Sequence, residues 1–159
     1  MNRQEIDQLN CGDIIEHPSG NLEIFFQEND DPNKLYRWKS YDRGVTTVIE
    51  TIYTLKDETN TNIPNTLVAM PLCSLIFVSS LNTYLLVYYY NFKILMTKGI
   101  LDINEVITWS QPTTVVSNVT MARPHIIHNT DGSLDIYYKV YNDNFDEVLK
   151  VKRSKDYGV

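Results

Sequence analysis

Paired carboxylates are the first residues to consider in this sequence, because two of them flanking a glycosidic oxygen are sufficient to hydrolyse the bond. Glu23 and Asp135 hold the same place in two similar segments, LEIFF and LDIYY. The chemistry needs the two carboxyl groups about 5 Å or about 6.5 to 9.5 Å apart. Strand alternation puts both residues on the polar face of their strands, so we expect solvated side chains rather than a catalytic pair.

Histidine and cysteine provide no stronger case for catalysis or metal binding. The sequence has three histidines, His17, His125 and His128. We expect His125 on a strand and His128 in the turn after it, so the two need not share a face and do not indicate a metal site. Cys11 and Cys73 are too few for a disulfide framework and are expected to be buried free thiols. The sequence shows no glycine-rich phosphate loop and no nucleophile elbow. It therefore predicts no enzyme, no metal site and no cofactor.

Binding residues are easier to identify, since eleven tyrosines and two tryptophans occur in 159 residues. Aromatic side chains with Asn and Asp neighbours suit sugar rings or protein partners. Four aromatic residues alternate with apolar ones and are expected to face outward, and the segment ARPHII adds an arginine and a histidine. The predicted ligand-binding set is Tyr36, Trp38, Arg123, His125, Tyr137 and Tyr141. The alternative is that the tyrosines are ordinary strand residues with hydrated hydroxyl groups.

Composition restricts the function classes. A formal charge of -6 repels a phosphate backbone, so we expect no nucleic-acid partner. The first thirteen residues lack the apolar core of a secretory signal, which predicts cytoplasmic synthesis, with incorporation into a virion as one destination. Residues 59–92 carry no charge, but they are broken into pieces shorter than the ~20 residues of a spanning helix. The breaks are Pro71 and the polar residues Ser79, Ser80, Asn82 and Thr83. We therefore expect no membrane span.

An internal repeat organises the chain. From Gly12, GDIIEHPSGNLEIFF aligns without a gap with PHIIHNTDGSLDIYY from Pro124. A weaker middle copy, CSLIFVSSLNTYLLVYYY, places Ile76 at the position of Ile14 and Leu86 at that of Ile24. Apolar residues alternate with a period of two and Val, Ile, Tyr and Thr dominate, as in β-strands. We predict a single all-β repeat domain, residues 1–159, with repeats over about 12–60, 73–110 and 122–159; LDINEVI, residues 101–107, is ambiguous between helix and strand.

A repeated turn motif follows the third predicted strand. SYDRGVTT, residues 40–47, reads Ser-x-Asp-x-Gly-x-Thr, and SKDYGV, residues 154–159, repeats its first half. The Asp can accept hydrogen bonds from backbone N–H groups of its own turn, the Ser can add another, and the Gly can take a positive φ. The motif residues are Ser40, Asp42, Gly44, Thr46, Ser154, Asp156 and Gly158. The middle copy keeps only the Gly of MTKGI, with Thr108-Trp109 as a displaced ending.

This motif resembles the Asp-box, the bacterial neuraminidase repeat Ser-x-Asp-x-Gly-x-Thr-Trp of sialidases and many other β-propellers. Thr47 stands where that family has its aromatic residue. The resemblance implies a propeller-like array of about three antiparallel blades, in which the box joins the third and fourth strands of a blade at the rim. It also implies that the Asp is structural rather than catalytic. An ordinary β-sandwich with common hairpin turns is the alternative fold.

The same resemblance defines what an active sialidase would need: three arginines around a carboxylate pocket, a Tyr with a Glu partner as nucleophile, and an Asp acid. Of the five arginines, only Arg123 is placed to face the axis of a propeller. Arg37, beside Trp38, is expected to stack on a ring or to lie on a solvated face. We predict a non-enzymatic structural or recognition module, with a sialidase-type glycan-processing fragment as the alternative.

The predicted blades are fewer than the ~4 to 8 of a closed propeller, and the last repeat stops before a fourth strand. We expect the N-terminal strand, further copies of the chain or a partner protein to complete the array. Asn, Thr, Ile and Tyr are abundant, which is typical of low-GC bacteria and their phages. The predicted setting is a phage virion or tail, where the chain binds itself, other proteins or glycans.

Overall fold

The computed structural model describes residues 9–17, 20–28, 31–42, 45–64, 73–120, 123–141 and 146–155, with side chains from residue 14 onward. Within these ranges the chain is nearly all β and contains no α-helix. One short 3₁₀ helix, Ser79–Leu81, interrupts the strands. The fold class is thus all-β, as the alternation of apolar residues predicts.

Twelve antiparallel strands form three sheets in the described part of the chain. Sheet 1 contains, in order, β1 (Leu9–Glu16), β2 (Leu22–Glu28), β3 (Asp31–Ser40) and β4 (Val48–Thr54). Sheet 2 contains β5 (Cys73–Val78), β6 (Thr83–Tyr90), β7 (Lys93–Leu101) and β8 (Ile107–Trp109), and β9 (Thr113–Ser117) also pairs with β7. Sheet 3 contains β10 (His125–His128), β11 (Leu134–Tyr141) and β12 (Glu147–Ser154).

The chain divides into two compact units. Among the described residues, the first comprises those up to residue 56 and residues 61–64, and it contains sheet 1. The second comprises residues 57–60 and the described residues from 73 onward, and it contains sheets 2 and 3. The prediction of a single domain with three repeat ranges stays a prediction.

The first hairpin of each sheet turns at a residue with positive φ, which is why the sequence carries Gly or Asn there. Gly20 has a φ of 83°, Gly132 a φ of 81° and Asn82 a φ of 49°. Each donates its backbone N–H to the carbonyl three residues earlier, at 2.8, 3.0 and 3.3 Å respectively. The three hairpins therefore share one turn position.

Strand register gives each sheet two comparable faces. Ile14 lies opposite Ile24 in sheet 1, and Ile126 lies opposite Ile136 in sheet 3. We call the face of these isoleucines the A face and the opposite face the B face. In sheet 2 the A face carries Leu86, whose partner is Leu75 rather than Ile76. The prediction that Ile76 is equivalent to Ile14 is therefore wrong by one residue. The reason is that the first hairpin of sheet 2 is one residue longer than the first hairpins of sheets 1 and 3.

The core of the second unit lies between sheets 2 and 3. The B face of sheet 2 and the A face of sheet 3 form one apolar cluster with Val119, in which the partly buried Ile76, Tyr89 and three valines also pack. Its buried strand members are Val78, Leu85, Val87, Ile94, Met96, Ile126, Leu134, Ile136, Tyr138 and Val140. Burying a side chain of this kind contributes about 1.5 to 3 kcal/mol.

No helix in the described residues is long and apolar enough to cross a membrane.

Candidate functional site

The turn after β3 closes on itself through Asp42. Ser40 Oγ donates to Asp42 Oδ1 at 3.0 Å, Thr46 N donates to Asp42 Oδ1 at 2.7 Å, and Thr46 Oγ1 donates to Asp42 Oδ2 at 2.7 Å. These donors, the backbone N–H of Thr46 first, lower the pKa of Asp42. The predicted hydrogen bonds of the motif are confirmed, and they engage both oxygens of the carboxylate. Gly44 lies outside the described residues.

The second copy of the motif is described only at its start. Ser154 ends β12 and is half-buried. Asp156 and Gly158 lie outside the described residues, so their role stays a prediction.

A third turn of this kind, which the sequence pattern did not predict, follows β7. Asp102 Oδ1 accepts the backbone N–H groups of Asn104 at 2.8 Å and Val106 at 2.9 Å. Asp42 and Asp102 each bind the amide four residues later, and each follows the third strand of its sheet. The signal was D-x-N at residues 102–104, inside the segment that was ambiguous between helix and strand. Gly99 instead lies within β7, opposite Trp109.

Glu23 is a buried carboxylate in sheet 1, so the expectation that it is solvated is wrong. It lies 3.3 Å from Arg37 Nη1 through Oε1 and 3.0 Å from His17 Nε2 through Oε2. Arg37, only 2% exposed, also donates from Nη2 to Glu50 Oε1 at 2.6 Å and from Nε at 2.9 Å. Lys39 reaches the same Glu50 oxygen at 3.6 Å. The centre of the B face of sheet 1 is buried, and a charge there needs a partner.

Asp135 occupies the equivalent place in sheet 3 and is likewise buried, at 1% exposure, which also contradicts the solvated expectation. Arg153 lies directly opposite and binds it with two parallel hydrogen bonds, Nε to Oδ1 and Nη2 to Oδ2, both 2.7 Å. These bonds lower the pKa of Asp135 to about 2 and raise the pKa of Arg153. The paired geometry is the strong form of an arginine–carboxylate contact.

The buried carboxylates and their arginines are thus occupied by one another within their own sheets. Arg37 was expected to stack on a ring or to be solvated, and it is instead the centre of an ion-pair network. Arg123 is exposed, ahead of β10, and its charge adds to that of Lys139 in lowering the pKa of Glu147. Lys139 Nζ contacts Glu147 Oε2 at 2.7 Å. Arg3 and Arg43 lie outside the described residues.

The histidines and cysteines show individual contacts. His17 pairs with Glu23, and Nδ1 of His125 lies 3.1 Å from Ser74 Oγ. Cys73 is a buried thiol, as predicted. Among the residues that the structure describes, no group of three or more His, Cys, Asp and Glu side chains is arranged to hold a metal ion.

The predicted ligand-binding residues lie in two places. His125 and Tyr137 are directly opposite on the B face of sheet 3, and Tyr141 lies on that face four residues along β11. Tyr36 and Trp38 lie on the A face of sheet 1. Tyr141 is exposed, whereas the other three aromatic residues are half-buried.

Packing explains part of this burial. The Tyr36 ring stacks on Phe26 with centroids 5.6 Å apart, and its hydroxyl donates to Asp31 Oδ2 at 3.3 Å. Tyr141 Oη donates to Glu147 Oε1 at 3.3 Å.

A groove in the second unit, which sequence reasoning also missed, lies between β9 and β12 and has a volume of about 450 Å³. Lys152 shares the A face of sheet 3 with Ile136, its partner on β11, and Ser154 lies opposite Leu134. Hydroxyl groups, the lysines Lys152 and Lys155, and apolar side chains therefore meet in one place. The lining residues are Met96, Thr113, Thr114, Val115, Leu134, Ile136, Lys152, Arg153, Ser154 and Lys155.

Solved structures with the same fold class include carbohydrate-active enzymes. A Dyadobacter fermentans protein of unknown function matches with a TM-score of 0.64 and 14% identity, over 91% of this chain and 37% of that one. The Trypanosoma rangeli sialidase in complex with 2,3-difluorosialic acid gives a TM-score of 0.62 and 12% identity, over 95% and 29%. A bifunctional GH43-CE protein of Bacteroides eggerthii gives 0.63 and 9%, over 95% and 18%.

These similarities show the fold alone. The fold is all-β and propeller-like, with antiparallel sheets of the kind found in sialidases and GH43 glycosidases. The chain spans between 18 and 37% of the length of these structures. No protein-family model and no curated protein matches the sequence.

Proposed function

We propose that this chain is a non-enzymatic propeller-type recognition module that binds an acidic sugar in the groove between β9 and β12. The observation that carries the proposal is the composition of that groove: Lys152 and Lys155 beside hydroxyl groups and an apolar floor. A volume of about 450 Å³ is in the range of small-molecule sites.

Each part of the groove has a counterpart in such a ligand. The ammonium groups attract a carboxylate, whereas the half-buried Val115 suits the apolar face of a sugar ring. Sialic acids carry both features, and a sialic acid derivative is the ligand in one of the similar structures. Because the chain has a net charge of -6, attraction of an anion here depends on these local cations rather than on the whole molecule.

The arginines support a role without catalysis. A sialidase needs guanidinium groups that are available to the substrate carboxylate, but Arg37 and Arg153 are each bound to a carboxylate of their own sheet. Among the described arginines, Arg123 and Arg153 are exposed, and the Arg153 guanidinium is the one that binds Asp135. In the alternative, sialidase-type function, substitution of Arg123 by alanine abolishes turnover, whereas in a recognition module it leaves sugar binding unchanged.

The proposed setting is a larger assembly in which the module contributes recognition. A phage virion or tail stays a prediction from composition, and protein partners are proposed for the exposed faces described below.

The test is a titration with the methyl α-glycoside of N-acetylneuraminic acid, followed by ligand-observed NMR. The double variant Lys152→Ala, Lys155→Ala should weaken binding at least about tenfold, since a hydrogen bond to a charged group contributes roughly 1.5 to 3 kcal/mol. Lys150→Ala is the matched control, because Lys150 is also exposed on β12 but does not line the groove. Equal binding by the double variant and wild type would refute the groove as the site.

A further inference from the structure

Sheets 2 and 3 show how one sheet of this chain covers another. Ile126 and Ile136, on the A face of sheet 3, pack in one cluster with Leu85 and Val87, on the B face of sheet 2. All four are at most 4% exposed. Within this unit, therefore, the A face of one sheet packs on the B face of another.

The B face of sheet 3 is the exception to the burial of B faces. Phe25 in sheet 1 and Val87 in sheet 2 are buried, whereas Tyr137 at the same position of sheet 3 is half-buried. The large apolar side chains around Tyr137 on this face are exposed to solvent. The exposed members are Ile127, Tyr141, Leu149 and Val151, with Leu149 at 66%.

The A face of sheet 1 is the exception to the burial of A faces. A row of apolar residues crosses all four strands of the sheet, each directly opposite the next: Ile14, Ile24, Trp38 and Ile49. The two central residues are half-buried, and the outer two are 70% and 58% exposed. In sheet 3 the residue equivalent to Ile14 is Ile126, which is 1% exposed.

The charges of the two faces are complementary. Glu16 and Glu28 are exposed on the A face of sheet 1. On the B face of sheet 3, Lys139 and Arg153 face Asp135 and Glu147. Asp131 and Lys155 lie near Arg153 and offset one another, so Arg123 leaves one cation in excess. Opposite potentials of this kind favour one face binding the other over either binding itself.

We propose that the B face of sheet 3 binds the A face of sheet 1 of a second copy of this chain, so that two copies pair head to tail. Each copy carries one face of each kind, so every copy can bind another through either face. The proposal does not depend on the sugar-binding groove. It gives the six predicted ligand-binding residues a role on or beside these faces.

The test is the solution mass of the purified chain, measured by light scattering after size exclusion at several concentrations. We expect at least twice the chain mass of 18.5 kDa. Ile49→Glu on the A face of sheet 1 and Leu149→Glu on the B face of sheet 3 should each weaken pairing at least tenfold. Ile103→Glu is the control, because Ile103 is 96% exposed in the turn after β7 and lies on neither face.

Mixing the two variants tests the head-to-tail arrangement. When one variant is alone, every contact between the two faces includes a damaged face. In the mixture, the intact A face of the Leu149→Glu variant can bind the intact B face of the Ile49→Glu variant. The mixture should therefore recover pairs that neither variant forms alone, while circular dichroism confirms that both fold. A single-chain mass at every concentration, or variants that pair like the Ile103→Glu control, would overturn the proposal.

Discussion

Ile14 and Ile126 occupy the same place in sheets 1 and 3, each opposite the isoleucine of its hairpin partner, yet their exposures are 70% and 1%. The difference comes from what covers them. Ile126 packs on the B face of sheet 2, whereas the row that contains Ile14 is open to solvent at both ends. Repetition in sequence therefore produces equivalent strands but not equivalent environments.

Removing the central cation of sheet 1 should destabilise the protein strongly. Arg37→Met keeps much of the aliphatic stem but leaves the buried carboxylate of Glu23 without its guanidinium partner. Breaking a buried ion pair in this way costs about 3 to 5 kcal/mol. Urea unfolding measures the loss. Lys39→Met, which removes a neighbouring cation 3.6 Å from Glu50, is the matched control and should cost under about 1 kcal/mol; equal losses would contradict the network.

Acid should weaken the fold through Asp135. Its pKa falls from 3.8 to about 2 on folding, because Arg153 stabilises the charged form. The folded state thus binds fewer protons than the unfolded state in this range, and stability falls as the pH drops from about 4 to about 2. Asp135→Asn should make unfolding less dependent on pH across this window. A variant that keeps the wild-type pH dependence would show that the ion pair is not formed.

The turn residues make a prediction about local opening. Asp42→Ala removes both acceptors of the Thr46 donors, so the Thr46 amide should exchange with solvent roughly tenfold faster. Asp42→Asn retains one acceptor oxygen and should restore part of the protection. Asp102→Ala should have the same local effect at Val106 and none at Thr46. NMR hydrogen exchange of the three variants distinguishes these outcomes, and unchanged exchange at Thr46 in Asp42→Ala would exclude the turn geometry.

Gly99 should not tolerate a side chain. A Cβ there would lie 2.6 Å from Ile107 Cγ2 and 2.9 Å from the Trp109 ring. Overpacking of this kind costs about 1 to 3 kcal/mol, measured for Gly99→Ala by thermal or urea unfolding. The double variant with Ile107→Ala removes the closest methyl group and should lose less than the sum of the two single losses. If the two losses of unfolding free energy were fully additive, the added methyl group at residue 99 would not contact Ile107.

The strands and the turn chemistry follow from the sequence because they depend on local rules. Alternating apolar residues predict β2 and β11, and the Ser-x-Asp pattern predicts the bonds around Asp42. The turn at Asp102 was not predicted, because its motif has Asn104 where the Ser-x-Asp-x-Gly pattern has Gly. Its hydrogen bonds are seen only in the structure.

The burial of polar residues could not be predicted in the same way. Glu23 and Asp135 alternate with apolar residues as solvated side chains do, but both faces of their strands carry buried groups. Which arginine neutralises each carboxylate depends on strand register: Arg153 lies opposite Asp135, and Arg37 is displaced by two residues from the position opposite Glu23. The groove depends on how two separate sheets meet, which a single strand pattern does not contain.

The most direct measurement of the proposed function is incubation of the intact protein with the methyl α-glycoside of N-acetylneuraminic acid, with bound ligand and released sialic acid followed in the same sample. We expect saturable binding that weakens as salt is added, since Lys152 and Lys155 attract the carboxylate, and no release of the free sugar. Release of sialic acid by the protein, or the absence of any saturable binding, would contradict it.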